Sequence, residues 1–483
     1  LPLPPGPTPL PLIGNFLDLP TRDMAKKFRL LSEKYGDITY LDSLRQPVII
    51  LGSHEIAVDL LERRSANYSD RRPATMAPAA GFEWSLTLQP YGLRWRRHRQ
   101  AFHQFFNPAA VLKYAPAQRL EAHRLVCRLL RTPDKFLHHI RHLYGSAIMR
   151  VAYGIEVDEE DVDYLGLARE AMSVFSTVFV PGKYMADTFP ILHLLPSWMP
   201  GATFKRSSPS WRKSVSGLVE TPWKAAMRDI VAGTAHPSMA SGIMGRVSQS
   251  HDHYADPSEQ ESVARSAAAT AYAGGADTTV SAAQSFFLAM ATHPDVQRRA
   301  QAELDSVIGP DRLPEIDDMD RLPYIHAIVK ECIRWRPVVP LGVPHRSMQD
   351  DEYCGYFIPK GTIVFANIWA FTRDPNVYPN PEAFIPERFL KEGRLNPDVR
   401  DPATLVFGYG RRGCPGRHFA QSSLFMIVAT VLHTLTISPP VDDQGRPCKV
   451  ESRMREGLLS HPEPFECVIK PRFSHVEALI RAS

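Results

Sequence analysis

From about residue 53 to 300, helical signals dominate the chain. They are punctuated by Pro181-Gly182, Pro200-Gly201 and Gly309-Pro310, pairs that end helices. Ahead of this region, Tyr40 to Leu51 reads as a small strand pair. A short β region returns at 354–367, where Gly355-Tyr-Phe-Ile-Pro-Lys-Gly361 precedes Thr-Ile-Val-Phe365, and another near 447–470. Ser258 to Met290 reads as one alanine-rich helix. A second apolar helix starts at Arg417 and runs to about Leu435. There is no internal repeat and no composition shift that marks a second domain. The pattern predicts one mainly α domain with small β-sheets.

The 483 residues, 44% apolar and 22% charged, suit a large buried core. A net charge of +4 gives no reason to expect a nucleic-acid partner. The cysteines at 127, 332, 354, 414, 448 and 467 form no CxxC and no close cluster. A disulfide framework is therefore not expected, and a reducing compartment fits better. Asn67-Tyr-Ser69 matches a glycosylation acceptor that a cytosol-facing domain would leave unused. No run of 18 apolar residues occurs, so no transmembrane helix is expected in this chain. The opening Leu-Pro-Leu-Pro-Pro-Gly-Pro7 reads as a stiff, PPII-like spacer or as a plain disordered start.

Candidate chemistry centres on Cys414, within Phe407-Gly-Tyr-Gly-Arg-Arg-Gly-Cys-Pro-Gly416. Glycines there let backbone N–H groups approach a sulfur and turn sharply around it. Pro415 sets φ for the following helix. A cysteine at a helix start is biased toward thiolate, because the dipole and free N–H groups favour negative charge. The pattern Phe407, Gly410, Arg412, Cys414, Gly416 fixes five residue types. Chance gives on the order of one match in a few million start positions. The segment resembles the haem loop of the cytochrome P450 family, in which the cysteine is the axial ligand to iron.

The remaining motifs fall in the order this resemblance implies. Ala273-Gly-Gly-Ala-Asp-Thr-Thr279 sits mid-helix, where each glycine costs about 1 kcal/mol against alanine. Gly274 and Gly275 would admit a flat ligand and let the helix ladder open. By resemblance, Asp277 and Thr278 are the acid–alcohol pair that routes protons; without it, a small-residue helix crossing explains the segment equally. Glu331 and Arg334 share a helix face, and Pro386-Glu-Arg-Phe389 follows. The resemblance joins Glu331, Arg334 and Arg388 into a buried structural triad. Glu121 and Arg124 have the same spacing and read as a solvated pair.

Trp95 and Arg99, at i and i+4, match the family's haem-propionate positions, as do His345 and Arg412. Arg94, Arg96 and Arg97 read as a solvated face, which would also suit an acidic reductase. Phe82, Trp84, Gly274, Val339, Leu341 and Leu458 fall where the family's distal pocket lies, together with Val343 and Leu459. They imply a lipophilic or aromatic substrate, although each also suits ordinary core. Phe175 to Met199 reads as a monotopic membrane patch or as a packed lid.

The resemblance implies a single-domain P450 fold over 23–483. Residues 1–22 would be a proline-rich linker after an absent N-terminal anchor. It implies haem b with a cysteine thiolate, and monooxygenation with O2 and an NADPH-cytochrome P450 reductase. It also implies an endoplasmic reticulum membrane surface, with the domain facing the cytosol. Val180-Pro-Gly-Lys183, Leu195 to Ala202 and Asp277 to Ala282 look similar to fungal microsomal enzymes of secondary metabolism, including aromatic hydroxylases acting on indoles. Two rivals are a reductase-independent thiolate-haem enzyme and a haem-binding sensor. The intact acid–alcohol pair argues against both.

Overall fold

The computed structural model describes residues 1–483 except 21, 158–161, 180–182, 185, 187–189, 250–255, 456 and 483. The main helices are α1 (Met24–Tyr35), α2 (Leu93–Phe106), α3 (Ala115–Arg131), α4 (Phe136–Tyr153), α5 (Tyr164–Val178) and α6 (Phe204–Ala232). They continue with α7 (Met239–Gln249), α8 (Pro257–Thr292), α9 (Pro294–Val307), α10 (Pro323–Trp335) and α11 (Arg417–Thr434). Strands include β1 (Ile38–Ser43), β2 (Gln46–Leu51), β3 (His345–Arg346), β4 (Ile363–Ala366), β5 (Leu435–Ser438), β6 (Met454–Arg455), β7 (His461–Pro462) and β8 (Val468–Pro471), besides two short hairpins at 351–358 and 390–395.

Helix α8 is the axis of the molecule. Asp256 caps it by accepting from Ser258 N, and Pro257 occupies the first turn. Its alanines let neighbours come close, and nearly every residue from Val280 to Ala291 is buried. Phe286 and Phe287 are fully buried, and Phe287 stacks on Phe136 of α4 at 5.6 Å. Each such side chain is worth about 1.5–3 kcal/mol of burial. The helix is continuous through Gly274 and Gly275, so the ladder is not open there. Gly275 has a packing reason: a Cβ would lie 2.7 Å from Ile148 Cγ1 on α4. At Gly274 a Cβ would meet nothing within 4 Å.

The principal sheet runs β1-β2-β4-β3. β1 and β2 are antiparallel, and β2 lies parallel to β4 with Ile49 opposite Val364. The β1–β2 turn places Leu44 and Arg45 at φ 53° and 65°, both left-handed without a glycine. β5 pairs with β8, and β6 with β7.

The proline-rich start does not stand off as a spacer. Pro2 O accepts from Phe357 N and Pro5 O from Tyr40 N, each at 2.8 Å. Proline has no N–H, yet an extended proline segment keeps its carbonyls and can cover a strand edge. Gly6 permits the approach, since a Cβ would fall 1.9 Å from Tyr40 O.

Among the described residues no helix is long and apolar enough to cross a membrane. Pro181-Gly182, Val180 and part of the 175–199 stretch lie outside the described residues.

Candidate active site

The loop before α11 closes on itself. Cys414 N donates to Phe407 O at 2.6 Å, and Gly413 N to Gly410 O at 3.1 Å. Gly408 and Gly410 carry φ of 72° and 51°. The reason for Gly410 differs from the expectation: a Cβ there would lie 2.4 Å from Leu61 O, so it clears a neighbouring backbone rather than the sulfur. Gly416 N–H bonds the sulfur itself. Burial pushes the Cys414 thiol up, while Gly416 N–H, Arg99 and Arg417 pull it down. Burial is the largest of these influences, so the thiol stands above its ordinary value.

Cys414 opens on a cavity of about 340 Å³, a size typical of small-molecule sites. Phe407, Arg412 and Gly416 line it from the cysteine loop, and Gly274, Gly275 and Thr278 from α8. Trp95 and Arg99, one turn apart on α2, also face it, as does His345 of β3.

Its electrostatics are unbalanced. Arg71, Arg99 and Arg412 all border the cavity, and no carboxylate does among the described residues. Burial and the neighbouring Arg412 hold the Arg71 guanidinium well below its ordinary value. Burial brings Arg412 down to about 10 despite Asp70, and also lowers Arg99. Arg71 Nη1 donates to Val343 O and Pro344 O, but its buried Nε has no partner among the described residues. Arg99 makes no hydrogen bond or ion pair among the described residues. Arg412 gives Nε to Ser69 O at 2.7 Å and stacks on Trp95 at 4.3 Å. His345 Nδ1 lies 2.7 Å from Tyr68 O, and burial and Arg71 lower its imidazole. Buried cations need counter-charge. A flat group with two carboxylates and a thiolate-seeking metal supplies it, so these residues fit haem. Arg71 was not among the expected residues. In Ser69-Asp-Arg-Arg-Pro73 nothing separates it from a solvated charge; only its burial does.

The distal wall is aromatic and apolar. Phe82, Trp84, Val339 and Leu458 line it as expected, as do Val343 and Leu459. Phe175, at the start of the stretch read as a membrane patch or a packed lid, is buried, lines the cavity and meets Phe82 edge-on at 5.3 Å. Leu341 is a correction: it is not on the cavity wall but packs against the apolar cluster of α1, β1, β2 and β4 that includes Phe28, Leu41 and Val48, because β2 and β4 present an apolar face there. Thr278 Oγ1 donates to Gly274 O at 2.6 Å. Asp277 is not on the cavity wall; it pairs with His461 at 3.2 Å.

The structure brings Glu331, Arg334 and Arg388 together. Glu331 accepts two bonds from Arg334, at 2.6 and 2.7 Å, with both side chains fully buried. Arg388 Nε approaches the same carboxylate at 3.3 Å, and Ile385 N donates to it at 2.8 Å. Arg334 also ties Thr372 O, Pro381 O and Ala383 O, which fixes the segment leading to the cysteine loop. Glu121 was expected to be solvated, yet it is 3% exposed and only Arg124 reaches solvent. Its carboxyl is raised by burial. Arg97 pairs with Glu259, and Arg96 lies over the Tyr91 ring, so that face is only partly free.

The family model described as Cytochrome P450 matches residues 4–469. The chain is 42% identical to Cytochrome P450 monooxygenase COX2 of Coprinopsis cinerea, over 99% of this chain and 90% of that protein. It is 41% identical to Tryptamine 4-monooxygenase of Psilocybe cyanescens, over 98% and 94%. It is 39% identical to Cytochrome P450 monooxygenase ppsD of Aspergillus oryzae, over 99% and 91%. A match of that extent is decisive, and the chain belongs to the cytochrome P450 family, an oxidoreductase of the monooxygenase kind with haem as cofactor.

Proposed function

We propose that this protein inserts one oxygen atom of O2 into an uncharged, lipophilic or aromatic small molecule, with electrons from an NADPH-cytochrome P450 reductase. The observation that carries this reading is a single cavity holding Cys414, Thr278 and an aromatic wall, with no carboxylate among the described residues. A substrate ammonium would find no counter-ion on that wall. One relative is named for tryptamine; a flat aromatic substrate of that kind suits Phe82, Trp84 and Phe175, but its charged amine does not suit this wall.

Haem held by a cysteine thiolate supplies the chemistry that cleaves O2. Cys414 Sγ would be its ligand. Arg71, Arg99 and Arg412 would neutralise its carboxylates, with His345 and Trp95 as further partners. Gly274 leaves open space beside Thr278. Thr278 Oγ1 would hold a proton at the wall, and Asp277 would resupply it. Phe82, Trp84, Phe175, Val339 and Leu458 would exclude water and orient the substrate.

The partner and location follow as proposals. Exposed Arg94, Arg96 and Arg411 support docking of an acidic reductase. Leu194 and Trp198, 81% and 70% exposed, support contact with a bilayer, here taken to be the endoplasmic reticulum facing the cytosol. Reconstitution with NADPH and a fungal reductase, after a spectral screen of uncharged aromatic and terpenoid compounds, tests the reading. Binders that displace the haem absorption and yield a monooxygenated product are expected. Binders that give product only with peroxide, or no product at all, would overturn it.

A further inference from the structure

We propose that His461 reloads Asp277 with protons from solvent, an inference that rests on the proton-delivery role proposed for Asp277 and Thr278. The two residues are adjacent on α8 but look different ways. Thr278 lies on the cavity wall. Asp277 is turned to β7, with Oδ2 at 3.2 Å from His461 Nε2. One turn along, Ser281 Oγ donates to Ser460 O at 2.5 Å, and Ser460 N donates to Val338 O at 2.8 Å. These bonds pin the start of β7 to the helix and hold the imidazole against the carboxylate. Both side chains stay in reach of water, at 18% and 23% exposure.

Among the described residues, the charged groups near the pair include Arg141 of α4, which feels Asp277 directly, and Arg169 of α5 and Arg455 of β6, which crowd Arg141. Guanidiniums favour a charged carboxylate but do not exchange protons at neutral pH. The imidazole does. His461 Nδ1 is buried and has no partner among the described residues, so no second bond among them fixes the ring's protonation at Nε2. In the proposed step the imidazolium Nε2–H bond breaks and an O–H bond forms on Asp277 Oδ2. The neutral acid swings toward Thr278 and releases its proton to the cavity. The carboxylate returns, and the imidazole takes a proton from water.

His461→Gln retains a donor at this place but cannot titrate. In the reductase-reconstituted holoenzyme, haem content and substrate-induced absorption shift are expected to stay unchanged. Product formed per NADPH should fall several-fold. For the unaltered protein that ratio should decline as pH rises through the histidine range; for His461→Gln the decline should vanish. In thermal unfolding, the double variant Asp277→Asn/His461→Gln should lose less Tm than the sum of the two single losses. An unchanged ratio and pH profile in His461→Gln, beside a defective Asp277→Asn, would overturn this inference alone. A fully coupled Asp277→Asn would overturn the proton-delivery reading as well. If His461→Gln folds poorly, His461→Asn takes its place in both measurements.

Discussion

Arg99 is a cation held in a partly dry cavity without a partner among the described residues, and burial already works against its charge. Arg99→Met is therefore expected to act with opposite signs on two states. The haem-free protein should gain Tm, and haem retention during dialysis should fall; a loss of Tm in the haem-free form would contradict the assignment of Arg99 to a bound anion. Thr278→Ala should leave haem bound while diverting NADPH away from product, checked by product per NADPH; fully coupled turnover would count against Thr278. At this scale the sequence speaks unevenly. Cys414 is legible because five residue types recur at fixed spacing around it. Arg71 is not, because a guanidinium between Asp70 and Arg72 looks the same whether solvated or buried. Leu341 and Phe175 each have two open readings, because apolar side chains carry no label for which of two apolar surfaces they join.

At the level of elements, the triad is the most consequential joint. Glu331 is fully buried and serves two arginines and Ile385 N. Glu331→Gln leaves Arg334 and Arg388 without their anion, and breaking a buried pair costs about 3–5 kcal/mol. We expect loss of folded haem protein on expression, or a midpoint in urea reduced to match; unchanged urea unfolding would refute the load placed on this contact. The long helix was readable within two residues at each end, since its alanine-rich run starts at a capping Asp and stops at His-Pro. The β1–β2 pair was readable, but its turn was not. Leu44 and Arg45 adopt left-handed φ values that neither residue type advertises, so the strands dictate the turn. The proline-rich start misled because its binding partner, the edge of β1, is set by the tertiary fold.

The whole molecule buries several neutral imidazoles. Burial drives His123 down to about 4, and lowers His98, His326 and His433. Unfolded histidine titrates near 6.5, so between about pH 6.5 and 4 the unfolded chain binds more protons than the folded one. Stability therefore falls as pH drops through that window. His123 alone contributes up to about 2 kcal/mol of this loss at about pH 5. His123→Leu should raise Tm more at about pH 5 than at about pH 7.5; equal changes would contradict a buried neutral ring.

The account stands on a sulfur-to-iron bond at Cys414, and the absorption spectrum of the reduced, carbon monoxide-treated protein tests it most directly. The unaltered protein should show the red-shifted Soret band of a thiolate-ligated haem, and Cys414→Ser should lose it. A nitrogen-ligated spectrum in the unaltered protein, or an unchanged band in Cys414→Ser, would contradict the account.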